Sequence, residues 1–201
     1  MSDILVFSPP VPDEMCTFSI GSELPRVCGW LLDEGYDFDQ RSLLAEVRYL
    51  NRFRFQSDFV DLSVFDPQTV IRYLKGERDK DIEKEASKLA DIINIEDYDT
   101  IVIPLEGDQI ISIRDPRLFM ALPILKERAQ EDQTVIIGGK NLANGEELAG
   151  LEFIDYVVDG DMELPVSNIL EHENKDKKLD SQAGLIYEEN GKIRQGESYE
   201  H

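Results

Sequence analysis

The residues best placed to do chemistry fall in four short segments, each directly behind an apolar run. They are Ser8-Pro9-Pro10, Glu106-Gly107 after Pro104-Leu105, Gly138-Gly139-Lys140-Asn141, and Asp159-Gly160-Asp161-Met162-Glu163. Two consecutive glycines behind a buried strand let a backbone lie flat against something bulky, because no Cβ intrudes. They also suit a tight turn with positive φ, and spacing does not separate the two readings. The three carboxylates Asp159, Asp161 and Glu163 span a strand-to-helix turn. Capping the following helix and complementing its dipole is their ordinary role there. The functional alternative is that their oxygens accept hydrogen bonds from a ligand.

Other chemistries lack their residues. No G-x-G-x-x-G follows a strand, and there is no Walker-type phosphate loop. Cys16 and Cys28 are the only cysteines, which argues against a disulfide scaffold and fits a reducing compartment. They are too few for a cluster-binding triad, so no iron-sulfur cluster is expected in this chain. Cys28 falls on an apolar helix face, where a cysteine packs as core. The two histidines, His172 and His201, lie away from strand ends, and no Ser/His/Asp set exists. No catalytic constellation is therefore expected.

Composition bounds the partners. Of 201 residues, 42 are acidic and 21 basic, a net charge of -21 that repels phosphate backbones and anionic lipid. Solubility accounts for most of that charge. Neither nucleic acid nor a membrane is expected as a partner. No apolar run is long enough to cross a bilayer and no leader is evident, so the expected address is the cytoplasm.

The elements that must hold these segments follow from periodicity. Ile4–Phe7, Thr100–Ile103, Thr134–Ile137 and Phe153–Val158 are short and almost continuously apolar, as strands covered on both faces are. Between them, helical spacing predicts helices over Ser22–Glu34 (with Gly35 as C-cap), Glu83–Ile93, Arg117–Arg128 and Met162–Glu171. The alternation predicts a doubly wound α/β domain with a mostly parallel sheet. Tyr36–Asp39 is a candidate second strand. The irregular insertion, about residues 40–95, carries predicted helices over Ser42–Asn51 and Pro67–Lys75. Asn190-Gly191 between Gly184–Tyr187 and Lys192–Arg194 predicts a C-terminal β-hairpin. The predicted division is an α/β domain over 1–171, then a charged loop, the hairpin and a frayed tail over 172–201.

The order of these motifs resembles the cobalamin (B12)-binding-like domain that precedes the catalytic barrel in B12-type radical S-adenosylmethionine (SAM) enzymes. Ile4–Pro10 is similar to its opening strand and proline pair, and Glu34-Gly35-Tyr36-Asp37 to its "GY(D/E)V" approach to the second strand. Thr134–Gly139 is similar to its fourth strand with the double glycine. Phe153–Pro165 looks like its "D-y-v-v-x-G-E-G-E-x-P" turn, and Gly184–Ile193 like its hairpin. The likeness spans most of the chain outside residues 40–95. It departs in three places: no D-x-H-x-x-G motif, Pro104-Leu105-Glu106 in place of S-x-L, and Asp159 and Asp161 where glycine or glutamate is usual.

The resemblance implies a Rossmann-like or flavodoxin-like fold and cobalamin held without a lower-ligand histidine. It implies contacts from Ser8, Pro9, Pro10, Glu106, Gly107, Gly138, Gly139, Lys140, Asn141, Asp159, Gly160, Asp161 and Glu163. Its implied partner is a radical SAM catalytic domain or subunit, with the peptide or small-molecule substrate of that partner nearby. The sequence stops where that barrel and its CxxxCxxC would begin, which suggests an excised domain or a free-standing member with a partner. The alternative is a cofactor-free interaction or regulatory domain on the same fold. On the first reading, a bulky residue at Gly138 or Gly139 weakens corrin binding and leaves the fold intact.

Overall fold

The computed structural model describes residues 3–8, 23–42, 60–105, 116–140, 142–143, 145–175, 179 and 182–196. The strands are β1 (Ile4–Ser8), β2 (Phe38–Ser42), β3 (Thr100–Pro104), β4 (Thr134–Gly139), β5 (Tyr156–Asp159), β6 (Leu185–Glu189) and β7 (Lys192–Gln195). The helices are α1 (Glu23–Asp33), α2 (Pro67–Leu74), α3 (Lys80–Ile93), α4 (Pro116–Arg128), α5 (Gly145–Ala149) and α6 (Glu163–Lys175). All seven strands join one sheet in the order β2-β1-β3-β4-β5-β6-β7. The first five are parallel, and β6 and β7 add antiparallel at one side. This is the predicted doubly wound α/β fold with its terminal hairpin.

Apolar residues run continuously along the strands because each face of the sheet has its own helix layer. Leu5, Phe7, Ile101, Ile103, Val135, Ile137 and Val157 point to one side, into a core built with α2, α3, α4 and α5. Ile4, Val6, Val102, Ile136 and Val158 point to the other, against Val27, Cys28 and Leu31 of α1 and Val166, Ile169 and Leu170 of α6. In β1, β3 and β4 strand alternation thus partitions two cores, while β2 and β7 at the sheet margins stay polar and largely exposed. Cys28 is buried as expected, and burial pushes its thiol up to about 11.

Local signals explain where the elements begin and end. Asp66 accepts from the amides of Gln68 and Thr69 ahead of Pro67, and Asp79 accepts from Asp81 and Ile82. These are side-chain N-caps, and the second starts α3 at Lys80, one turn before the apolar period predicts. Strand β5 begins at Tyr156 instead of Phe153. The Ile154 amide closes a turn onto the Leu151 carbonyl, and the Asp155 carboxylate takes the Val135 amide. Helix α6 runs to Lys175, into the segment predicted as a charged loop. Helix α4 buries Phe119, Met120 and Ile124 as well as its predicted face, since it lies between the sheet, α2 and α3. Asn190 and Gly191 both have positive φ, 53° and 73°, which the two-residue hairpin requires. Ser42 ends β2; the rest of the helix predicted over Ser42–Asn51 lies outside the described residues, as do residues 197–201. No helix among the described residues is long and apolar enough to cross a membrane.

The helices of the insertion dock through polar contacts as well as apolar ones. Tyr73 of α2 donates its hydroxyl to Glu127 of α4, and the Lys126 ammonium donates to the Tyr73 carbonyl while standing 4.2 Å from its ring centroid. Burial pushes the Glu127 carboxyl up and the Lys126 amine down. A second buried tie is Gln133, ahead of β4. Its Nε2 donates to the carbonyls of Ile95 and Tyr98, and its Oε1 accepts from the Gln130 amide. One side chain thereby secures the turns that launch β3 and β4. Gln133→Leu leaves these backbone groups without that partner, and urea denaturation is expected to show a loss of about 2–4 kcal/mol. An unchanged midpoint would mean that water or other groups replace the amide.

Candidate functional site

The five parallel strands bring their carboxyl ends to one edge of the sheet. Strand β1 pairs with β2 as far as Ser8↔Ser42, and β3 with β4 as far as Pro104↔Gly138. Between β1 and β3 the ladder stops at Val6↔Val102. That end is set by Pro104, which has no amide to give the Phe7 carbonyl; Ser8, the last residue of β1, is half-buried. Chain order reverses at this point, and in doubly wound sheets such a switch point is where a crevice forms.

The neighbouring strand ends are closed by contacts within the chain. Glycines 138 and 139 form the last two residues of β4, inside the sheet and fully covered. A Cβ on Gly138 would collide with the Val158 carbonyl oxygen and lie 2.7 Å from the Val158 Cβ. A Cβ on Gly139 would overlap the Leu105 carbonyl oxygen and lie 3.0 Å from its carbon. The Leu105 amide in turn donates to the Gly138 carbonyl at 2.6 Å. The missing side chains are thus required by β5 and by the segment after β3, which already occupy the space. The loop beyond is pinned from β5: Asp159 Oδ1 accepts from the Leu142 amide at 3.2 Å, and the Gly160 amide donates to the Gly139 carbonyl at 3.1 Å.

A cluster of four charges lies beside these ends. Arg26 of α1 donates through Nη1 to Asp161 Oδ1 at 2.9 Å, and Lys140 Nζ stands 2.8 Å from the same oxygen. Arg26 Nη2 pairs with Glu163 Oε1. The hydrogen bond from Lys140, against the opposing effect of burial and with help from Arg26, holds the Asp161 carboxyl below its usual range. Glu163 Oε2 is sealed from solvent without a hydrogen-bond partner. Asp161 therefore spends its oxygen on two cations, while Glu163 supplies the acidic first turn of α6. Helix capping, the ordinary reading of this turn, accounts for Glu163 better than for Asp161.

Of the predicted contact residues, Ser8, Gly138, Gly139, Lys140, Asp159, Gly160, Asp161 and Glu163 come together along this edge. Pro9, Pro10, Glu106, Gly107 and Asn141 lie outside the described residues. Among the described residues no three His, Cys, Asp or Glu side chains converge as metal ligands. His172 is on α6, nine residues from its start, roughly 13 Å along the axis. Arg26 is the member that periodicity alone missed. A guanidinium four residues into a helix, close to the positive end of its dipole, is an unfavourable placement that signals an acidic partner elsewhere.

No protein-family profile and no curated protein matches the sequence. Among solved structures the fold is similar to that of TsrM, a radical S-adenosylmethionine methyltransferase from Kitasatospora setae, with cobalamin and a 4Fe-4S cluster bound. The match has 13% identity and a TM-score of 0.50, over 99% of this chain and 29% of that one. It is also similar to OxsB, a cobalamin-dependent S-adenosylmethionine radical enzyme with aqua-cobalamin bound. That match has 11% identity and a TM-score of 0.52, over 98% of this chain and 22% of OxsB. The chain spans less than a third of either protein. At such identities the likeness is one of fold.

The close approach at Gly139 generates a direct test. Gly139→Ala is expected to destabilise the ligand-free chain by about 1–3 kcal/mol, since a backbone carbonyl must move to admit the methyl group. Chemical denaturation measures this, and a neutral result would show that the Leu105 segment yields freely.

Proposed function

We propose that this chain is the cobalamin-binding-like module of a B12-type radical SAM system, receiving a corrin over the carboxyl ends of β1, β3, β4 and β5. The observation that carries the reading is the reversal of strand order between β1 and β3, the switch point of the sheet. The fold likeness to two cobalamin-associated radical SAM enzymes supports it. The polar groups at the edge suit a corrin, whose rim carries neutral amides. Ser8, half-buried at the end of β1, offers an oxygen to amide N–H groups.

Lys140 and the Gly160 turn complete the described wall, and Pro9, Pro10, Glu106, Gly107 and Asn141 are assigned to it by sequence position alone. Cobalamin supplies a cobalt centre suited to group transfer, held by the corrin's own nitrogens. The chain's part is to seat the ring and exclude water from one of its faces. Its partner on this reading is a radical SAM catalytic domain or subunit acting on a peptide or small molecule, in a cytoplasmic setting and without nucleic acid or membrane.

A second reading has its own observations. The glycine pair is filled by the chain itself, and Asp161 already has two cationic partners, so a cofactor-free interaction module on this fold needs no further ligand. Gel filtration after mixing with hydroxocobalamin separates the two. Co-elution of corrin absorbance with protein in equal molar amount is expected, and complete separation of the two peaks would establish the cofactor-free reading. With no histidine at the strand ends among the described residues, His172→Ala is expected to leave both retention and the bound-state spectrum unchanged. A spectral change on that substitution would make His172 a cobalt ligand and overturn the seat over the strand ends.

A further inference from the structure

The Arg26, Lys140 and Asp161 side chains come from α1, the end of β4 and the turn after β5, and they meet on one oxygen. That oxygen occupies a two-cation hole. Its owner is a partly exposed carboxylate, with 47% of the side chain accessible, so its ion pairs are screened and together hold it only weakly. A phosphate group offers several oxygens to the same donors and matches the guanidinium fork better than one carboxylate oxygen does. Glu163 grips the other guanidinium nitrogen and would keep Arg26 aimed when Asp161 leaves.

We propose that Arg26 and Lys140 form a phosphate subsite that Asp161 fills in cis and yields to the phosphodiester of a ligand docked at the strand ends. The inference rests on the corrin reading above, where that phosphodiester belongs to the nucleotide loop of cobalamin; free phosphate offers the same chemistry. The net charge of -21 does not oppose it at short range. Screening confines the far field to about 8–10 Å, and the largely neutral corrin amides bring the ligand in before the phosphate engages.

Calorimetric titration of the whole chain with cobalamin, and with cobinamide, which lacks the nucleotide loop, tests the subsite. Arg26→Gln and Lys140→Gln are each expected to weaken cobalamin about tenfold more than they weaken cobinamide. Asp161→Asn, which removes the competing charge, is expected to tighten cobalamin a few-fold. Equal losses for the two corrinoids, or no loss, would overturn the subsite while the corrin reading stands. Should neither corrinoid bind, the corrin reading falls and inorganic phosphate alone decides the subsite. A rise in Tm with phosphate that is larger in Asp161→Asn and absent in Lys140→Gln supports it. A rise that ignores Lys140, or no rise, refutes it.

Discussion

A sheet covered on both faces by helices has nowhere to place polar chemistry except along its edges, and this constraint organises the whole molecule. Every apolar residue of β1, β3 and β4 is committed to one of two cores, Leu5 and Phe7 to one and Ile4 and Val6 to the other. The polar groups that follow these strands are therefore gathered at their carboxyl ends, whatever they do there. Because the connections are parallel, five such ends share one edge, and the chain order reverses along it between β1 and β3, where doubly wound sheets form their crevice.

The double glycine shows how easily such an edge is misjudged from composition. Glycine at a strand end suits a ligand lying flat on the backbone, and it equally suits a neighbouring strand lying there. A methyl group at Gly138 would strike the Val158 carbonyl, and one at Gly139 the Leu105 carbonyl, which assigns both glycines to the sheet's own packing. This bears on the expectation that bulky residues there would weaken binding and spare the fold. Any loss of ligand affinity in such variants would be entangled with loss of stability, so the glycines are poor probes of a site. Side chains that project from the edge, Lys140 and Asp161, are better ones.

Electrostatics at the edge differ from those of the protein as a whole. A chain with twice as many acids as bases still brings two cations onto a single carboxylate oxygen. Long-range repulsion of anions and short-range capture of one are compatible, because the first is screened by salt and the second depends on hydrogen-bond geometry. The cluster also joins α1 to the start of α6, the two helices that share one face of the sheet, so its state is coupled to the packing of that layer.

The strand runs, the helices and the hairpin were legible in the sequence because they rest on local period and turn chemistry: continuous apolar tetrads, Leu24, Val27, Cys28 and Leu31 on one helical face, Asn190-Gly191 between alternating runs; Leu32, expected on that same face, is turned to solvent at 69% exposure. Boundaries were less legible where a side chain competes with the backbone ladder, as Asp155 does before β5, or where a cap precedes the apolar period, as Asp79 does before α3. The site was legible only as a set of loops. That Asp161 faces Arg26, 135 positions earlier, and that Gly139 lies under the Leu105 carbonyl, follow from the packing and register of elements far apart in the chain. Side-chain period specifies which face of an element is buried. Which distant group it meets there is decided only when the strands align and the helices settle against them.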